Sequence, residues 1–267
     1  MLRDITLGQY YPVDSAIHRL DPRVKLFGTM VFLISLFITD NFIGYIPAIA
    51  FLVTVIALSK VPFKYMVKGM RAILFLLLFS VICNLFMARG DVVFSFWKLS
   101  ITKQGIKTAG FMAIRLSFLV IGSSIMTLTT TPNHLTDGLE KGLSFMKIFK
   151  VPVHDIAMMM SIALRFIPIL VEETDKIMKA QMARGADFES GNIVKKVKSL
   201  IPLLVPLFVS AFRRANDLAM AMEARGYRGG DGRTKMKPLK YHANDAVAYL
   251  VIFVYLGAII ALRVIFK

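Results

Sequence analysis

Two arginines occur in the same tripeptide, Ala-Arg-Gly, where two charged helical patterns end. The copies are Ala183-Arg184-Gly185 and, 41 residues later, Ala224-Arg225-Gly226. Glycine readily adopts the left-handed conformation that ends a helix, and a cation in the last turn complements the helix dipole. An exposed guanidinium there also presents a rigid fork of donors that suits a carboxylate on a partner. The pair therefore predicts two docking ends, each kept slim by its alanine.

The elements that must position these arginines are two long amphipathic helices, predicted over Val151–Gly185 and Ser199–Gly226. In each, apolar residues recur at helical spacing on one face and charged residues mark the opposite face. A shorter amphipathic piece, His134–Phe149, precedes them. Pro168 and Pro206 lie inside the long helices and are candidate hinges, because each removes one backbone hydrogen bond.

The composition predicts an integral membrane protein, since 56% of the residues are hydrophobic and only 19% are charged, with a mean hydropathy of +0.63. We expect an all-α fold with about five transmembrane helices plus long amphipathic cytoplasmic coupling helices. The five predicted spans are Val24–Thr39, Asn41–Ser59, Ala72–Ala88, Thr108–Thr131 and Ala246–Leu262.

The distribution of the 33 lysines and arginines predicts the orientation. A cytoplasmic N-terminus places most of them on the inner side, as the positive-inside rule requires. The expected organisation is an N-terminal bundle of four spans (residues 1–131), a cytoplasmic coupling-helix region (132–242) and a final span (243–267). The loop 89–107 is then external although it is basic, and its role is not predicted. A third Ala-Arg-Gly, at 88–90, lacks a preceding charged turn and is interpreted as coincidence.

Few side chains in this sequence suit chemistry of their own. No GxxxxGK[ST] phosphate-binding loop occurs, so this chain cannot hold nucleotide phosphates with a P-loop of its own. The four histidines lack metal-ligand spacing, the single cysteine, Cys83, lies in an apolar run, and the spans hold few titratable groups. We therefore predict a non-enzymatic protein with no catalytic residues, metal or cofactor. A self-sufficient membrane carrier or a membrane-embedded enzyme remains the alternative, and nucleic-acid binding ranks last because basic and acidic residues are interleaved.

The whole chain resembles the EcfT/CbiQ family. The resemblance rests on the two spaced Ala-Arg-Gly signatures, the charged helical region before a final span and the overall length. Members are the transmembrane T components of energy-coupling factor (ECF) transporters. The resemblance implies a multi-pass protein of a bacterial or archaeal cell membrane, in contact with the lipid bilayer. It also implies two ABC-type ATPase subunits and a separate membrane S component that binds a vitamin or a metal ion. By position, Ala183, Arg184, Gly185, Ala224, Arg225 and Gly226 become the ATPase-docking residues, and ATP-driven closure is expected to move the two ends.

Overall fold

The computed structural model describes residues 9–39, 41–87, 91–96, 99–186, 188, 192–229, 236 and 238–265. The helices within these ranges are α1 (Ala16–Arg19), α2 (Pro22–Ile38), α3 (Tyr45–Ser59), α4 (Phe63–Met87), α5 (Lys103–Thr129), α6 (Pro132–Gly142), α7 (Val153–Ala183), α8 (Ile193–Ala224) and α9 (Ala243–Ile265). Short 3-10 helices cover Phe42–Gly44 and Ser144–Phe149.

The predicted all-α membrane fold is confirmed, with one addition. Strands β1 (Val92–Phe96) and β2 (Leu99–Thr102) pair as an antiparallel hairpin with an irregularity between Val92 and Phe94. The hairpin occupies the basic loop 89–107, to which the sequence assigned no structure. The third Ala-Arg-Gly copy, at 88–90, lies outside the described residues.

The chain divides into two compact units. The bundle unit consists of residues 8–141 and 239–267, and so contains α1 to α6 and α9. The two-helix unit covers residues 142–238 and contains α7 and α8.

The core of the bundle unit lies where α2, α3, α5 and α9 converge. The ring centroids of Phe51 and Phe32 are 5.8 Å apart, and those of Phe51 and Tyr255 are 4.5 Å apart. Gly122 of α5 lies against the Phe32 ring so closely that a Cβ at this position would be 2.6 Å from Phe32 Cε1. Small residues at helix contacts allow such close packing in membrane proteins, so α5 packs directly on α2.

Several polar groups inside the bundle unit contact one another. The hydroxyl oxygens of Ser35 and Tyr255 are 2.5 Å apart. The Arg115 guanidinium donates to the Thr39 carbonyl at 3.0 Å and to the Tyr45 hydroxyl at 3.3 Å. Because Thr39 ends α2, this intramembrane cation caps a helix, which accounts for its presence without a catalytic role.

Four helical segments in the described ranges are long and apolar enough to cross a membrane. They are Phe42–Ser59, Lys103–Thr129, Val153–Ala183 and Ala243–Ile265. Of the five predicted spans, three correspond to members of this set. The first corresponds to α2, which has 17 residues and is slightly short, and the third contains the shorter apolar helix Ile73–Phe86. The additional member is α7, whose first half is apolar although its second half is charged.

Candidate docking site

The first Ala-Arg-Gly copy forms the carboxyl end of α7 with a regular glycine cap. Arg184 is the last residue on the right-handed side, with φ −88° and ψ 7°, and Gly185 turns left-handed at φ +88°. The Gly185 amide donates to the Met182 carbonyl at 2.9 Å, and the Ala186 amide donates to the Gln181 carbonyl at 3.0 Å. These two bonds define the Schellman motif, in which the last free carbonyls of a helix are satisfied.

The second copy ends α8 in the same way. Arg225 has φ −89° and ψ 9°, and Gly226 follows at φ +70°. The Gly226 amide donates to the Glu223 carbonyl at 2.9 Å, and the Tyr227 amide donates to the Met222 carbonyl at 3.0 Å. Both copies therefore place their arginine at the same point of the same local structure.

All six residues of the two tripeptides are exposed. A Cβ added to Gly185 or Gly226 would meet no atom within 4 Å, so these glycines are required by their positive φ and not by crowding. Within the described residues, neither guanidinium has an ion-pair or side-chain hydrogen-bond partner. The chain thus presents two exposed cationic helix ends, whose donors have no side-chain partner in the part of the chain that the structure describes.

Two polar contacts join α7 to α8. The Arg214 guanidinium donates to the Glu173 carboxylate at 3.0 Å, and this ion pair is partly shielded from solvent. Nearer the end of α7, the Gln181 side-chain amide donates to the Pro202 carbonyl at 3.4 Å. The later residue of α7 contacts the earlier residue of α8, so the helices run in opposite senses where they touch.

This opposite sense separates the two arginines. Gln181, three residues before Arg184, lies beside Pro202, whereas Arg225 follows Pro202 by 23 residues. This stretch of α8 is about 35 Å long at a rise of 1.5 Å per residue. From the Glu173–Arg214 contact, each arginine lies 11 residues, about 16 Å of helix, away on the opposite side, so the ends are roughly 30 Å or more apart.

The partners of the ion pair lie equally far from the ends of their own helices. Arg184 follows Glu173 by 11 residues and Arg225 follows Arg214 by 11 residues, about 16 Å of helix in each case. Sequence reasoning did not single out this pair. The signal was present, because superposing the two Ala-Arg-Gly copies places a glutamate of one helix against an arginine of the other.

The prolines inside α7 and α8 differ in the hydrogen bonds around them. α8 contains Pro202 as well as the predicted Pro206, and α7 contains Pro168. The Pro202 carbonyl would normally accept from the amide four residues later, but that residue is Pro206, which has no N–H. The free carbonyl instead accepts from Gln181. Pro206 thus creates the acceptor that ties the end of α7 to α8, a role that sequence reasoning missed together with Pro202.

The fold and the site together define a predominantly helical membrane protein. Its two-helix unit is charged, and each of the two helices ends at an exposed arginine. A family model described as "Cobalt transport protein" (CbiQ) matches residues 14–236, which include both Ala-Arg-Gly copies.

Several curated relatives carry the name "Energy-coupling factor transporter transmembrane protein EcfT". The Clostridium kluyveri protein is 54% identical over 252 residues, 94% of this chain and 93% of the relative. The Ruminiclostridium cellulolyticum protein is 49% identical over 266 residues, 100% of both chains. The Bacillus subtilis protein is 44% identical over 264 residues, 98% of this chain and 100% of the relative.

The chain therefore belongs to the CbiQ/EcfT family, the transmembrane components of energy-coupling factor transporters. It is a membrane-embedded transporter subunit that acts in a complex with other subunits, and the family names describe a non-catalytic component.

Proposed function

We propose that this chain is the coupling scaffold of an ECF-type importer in a bacterial or archaeal cell membrane. Two ABC-type ATPase subunits dock at the ends of α7 and α8, through Ala183, Arg184, Gly185, Ala224, Arg225 and Gly226. ATP-driven motion of the ATPases is transmitted to a membrane S component that binds a micronutrient, either a vitamin or a metal ion. The coupling-helix region, residues 132–242, then faces the cytoplasm, in keeping with its basic residues.

The observation that carries this proposal is the pair of matching exposed ends, roughly 30 Å apart. Each end offers an unoccupied guanidinium next to a slim helix tip, which suits insertion into a groove lined by carboxylates. A distance of 30 Å is about the diameter of a small domain. Two ends at this spacing do not suit a single groove well. They suit two subunits, each of which offers one groove.

The ion pair between Glu173 and Arg214 supports a lever mechanism. Because both arginines lie about 16 Å from it along their helices, a change of crossing angle at this contact displaces both ends by comparable amounts. Pro168 and Pro206 are the proposed hinges. At Pro206 the proposal gains support from the freed Pro202 carbonyl, because its bond to Gln181 can break without leaving an unpaired helical N–H.

Exposed apolar residues of α8 support a membrane partner for the two-helix unit. Val205, Phe208 and Phe212 are each more than half exposed. Large contiguous apolar surfaces on a described element indicate contact with protein or lipid. We assign this surface to the S component and the surrounding bilayer.

The experiment that tests the proposal compares charge reversal at the ends with charge reversal elsewhere on the same helices. Arg184→Glu and Arg225→Glu are each expected to weaken ATPase binding about 10- to 100-fold, the value of a lost charge-assisted hydrogen bond. ATP-dependent uptake by the reconstituted complex should fall in parallel. Binding is measured by co-purification and titration with the ATPases that accompany the wild-type chain.

The matched controls are Lys179→Glu in α7 and Arg213→Glu in α8, which are exposed cations away from the ends. These controls should bind and transport as the wild type does. Unchanged binding in both end variants, or equal losses in the controls, would contradict the docking role. Uptake by the purified chain alone in liposomes would instead favour a self-sufficient carrier.

A further inference from the structure

An apolar cleft of about 620 Å³ lies in the bundle unit, lined by residues of α1, α2, α3, α5 and α9. We call it the Lys25 cleft, after the one lysine in its lining. Small residues keep it open: Gly28 in α2, Ala50 in α3 and Ala248 in α9. Along α9 its lining runs from Asn244 to Ala258, which is about 21 Å of helix.

Lys25 gives the cleft a cationic end. Its ammonium donates to the His18 carbonyl at 3.0 Å and to the Thr129 carbonyl at 2.9 Å. An ammonium has three donors, and among the described residues nothing accepts from the third. No described carboxylate lies within salt-bridge distance of it.

The two nearest acidic side chains are engaged elsewhere. The Asp21 carboxylate accepts three hydrogen bonds from Arg23. The Asp245 carboxylate accepts from the amides of Asp21 at 2.8 Å and His242 at 2.7 Å. Partly buried cations in apolar surroundings need a counter-charge, so the free donor of Lys25 calls for an anion at this end of the cleft.

The Lys25 cleft is a long and mostly apolar space. A flexible hydrocarbon chain fits this volume, and at about 21 Å along α9 the cleft is longer than one leaflet, about 15 Å, of a hydrocarbon core about 30 Å thick. An apolar chain that carries an anionic head at one end is the chemistry of an anionic phospholipid.

We propose that the Lys25 cleft binds one acyl chain of an anionic phospholipid, with the lipid phosphate accepting the free N–H of Lys25. The lipid then fills the space between α2, α3 and α9 and supplies the missing counter-charge. The proposal concerns the bundle unit alone and does not depend on ATPase docking.

The test uses the full-length chain in detergent with added phosphatidylglycerol or phosphatidylcholine of identical acyl chains, and binding is counted by native mass spectrometry. The wild type should prefer phosphatidylglycerol about tenfold. Lys25→Met should lose this preference and Lys25→Arg should keep it. The control Lys64→Met, at an exposed lysine of α4, should bind as the wild type does.

A second variant tests the cleft without touching the charge. Ala50→Phe fills the lining and should reduce binding of both lipids, so it keeps the proposal falsifiable if Lys25→Met does not fold. An equal preference in the wild type and Lys25→Met, or full lipid binding by Ala50→Phe, would overturn the proposal. Thermal stabilisation by inorganic phosphate equal to that by phosphatidylglycerol would also overturn it, because a headgroup-sized anion site would then suffice.

Discussion

The bundle unit and the two-helix unit differ in how much of their apolar side chains they bury. In the bundle unit Phe32, Leu36 and Tyr45 are almost fully buried against neighbouring helices. In the described part of the two-helix unit the buried hydrophobic residues are Val153, Ala157 and Leu203. Several large side chains of that unit, among them Phe208 and Phe212, are exposed. The bundle unit also exposes apolar side chains, Phe75 among them, but it has a sizeable buried core of its own, whereas the described part of the two-helix unit buries few apolar side chains.

The polar groups show the same contrast. In the bundle unit the Asp245 carboxylate holds the chain before α2 by accepting the Asp21 amide, and Arg115 caps α2. In the two-helix unit, one ion pair joins the helices within the described residues, and Arg184 and Arg225 are left without partners there. We therefore expect substitutions in the first unit to change stability and those at the helix ends to change binding.

The largest expected effect on stability is that of Phe32→Ala. This change removes a buried ring that packs on Gly122 and Phe51, and typical large-to-small core changes of this kind cost about 3–5 kcal/mol. Thermal unfolding in detergent measures the loss. The matched control is Phe208→Ala, at an exposed ring, which should cost less than about 1 kcal/mol. Similar losses of stability in both variants would contradict the difference in core burial between the two units.

The double charge reversal Arg184→Glu/Arg225→Glu tests whether the two helix ends bind independently. The ends are roughly 30 Å apart, and changes at such distances add to within about 0.5 kcal/mol. The free-energy losses of the two single variants, each about 1.5–3 kcal/mol, should therefore sum in the double variant. Titration of the ATPases measures this, with the unfolding temperature unchanged. A double variant no worse than either single variant would indicate one shared site.

A smaller effect on the contact between α7 and α8 is expected when the ion pair between Glu173 and Arg214 is removed. Glu173→Gln should weaken the crossing of α7 and α8 by about 1 kcal/mol, because the pair is partly exposed. Spin labels at positions 183 and 224 should then report a broader distance distribution than the wild-type value near 30 Å. The charge swap Glu173→Arg/Arg214→Glu should narrow it again. An unchanged distribution in Glu173→Gln would remove the pair from the mechanism.

An effect confined to one helix end is expected at the glycine caps. Gly185→Val places a β-branched residue at φ +88°, which costs about 1–2 kcal/mol of local stability. Gly185→Asn should cost less, because asparagine tolerates the left-handed region. Hydrogen exchange of the Ala186 amide, which bonds the Gln181 carbonyl, reports fraying. Equal exchange in both variants would mean that the cap does not hold the end.

Local chemistry made much of the fold predictable. The predicted span Ala246–Leu262 lies inside α9, and Asn41–Ser59 coincides with the segment Phe42–Ser59, because apolar runs in a membrane must satisfy their backbone as helices. The ends of α7 and α8 were also predictable, since an Arg-Gly terminus is a local signal. α4 begins at Phe63, nine residues before the predicted span, because the lysines of its first turns lower hydropathy without breaking a helix.

Contacts between distant residues could not be predicted in this way. The Glu173–Arg214 pair and the bond from Gln181 to the Pro202 carbonyl depend on how α7 crosses α8, which helical periodicity does not specify. The cationic end of the Lys25 cleft depends on the carbonyls of His18 and Thr129, which come from different parts of the chain. The hairpin β1–β2 lies in the loop 89–107. The basic residues of this loop bear on membrane orientation and do not predict strands.

Cross-linking from the two ends tests the central claim most directly. Because Cys83 is the single cysteine, a Cys83→Ala background allows Ala183→Cys and Ala224→Cys to carry photoreactive groups in one chain. In the assembled complex, the mass of the product should correspond to one chain joined to two ATPase subunits, one at each end. A product in which both ends are joined to a single subunit, or no cross-link to any ATPase, would contradict the account.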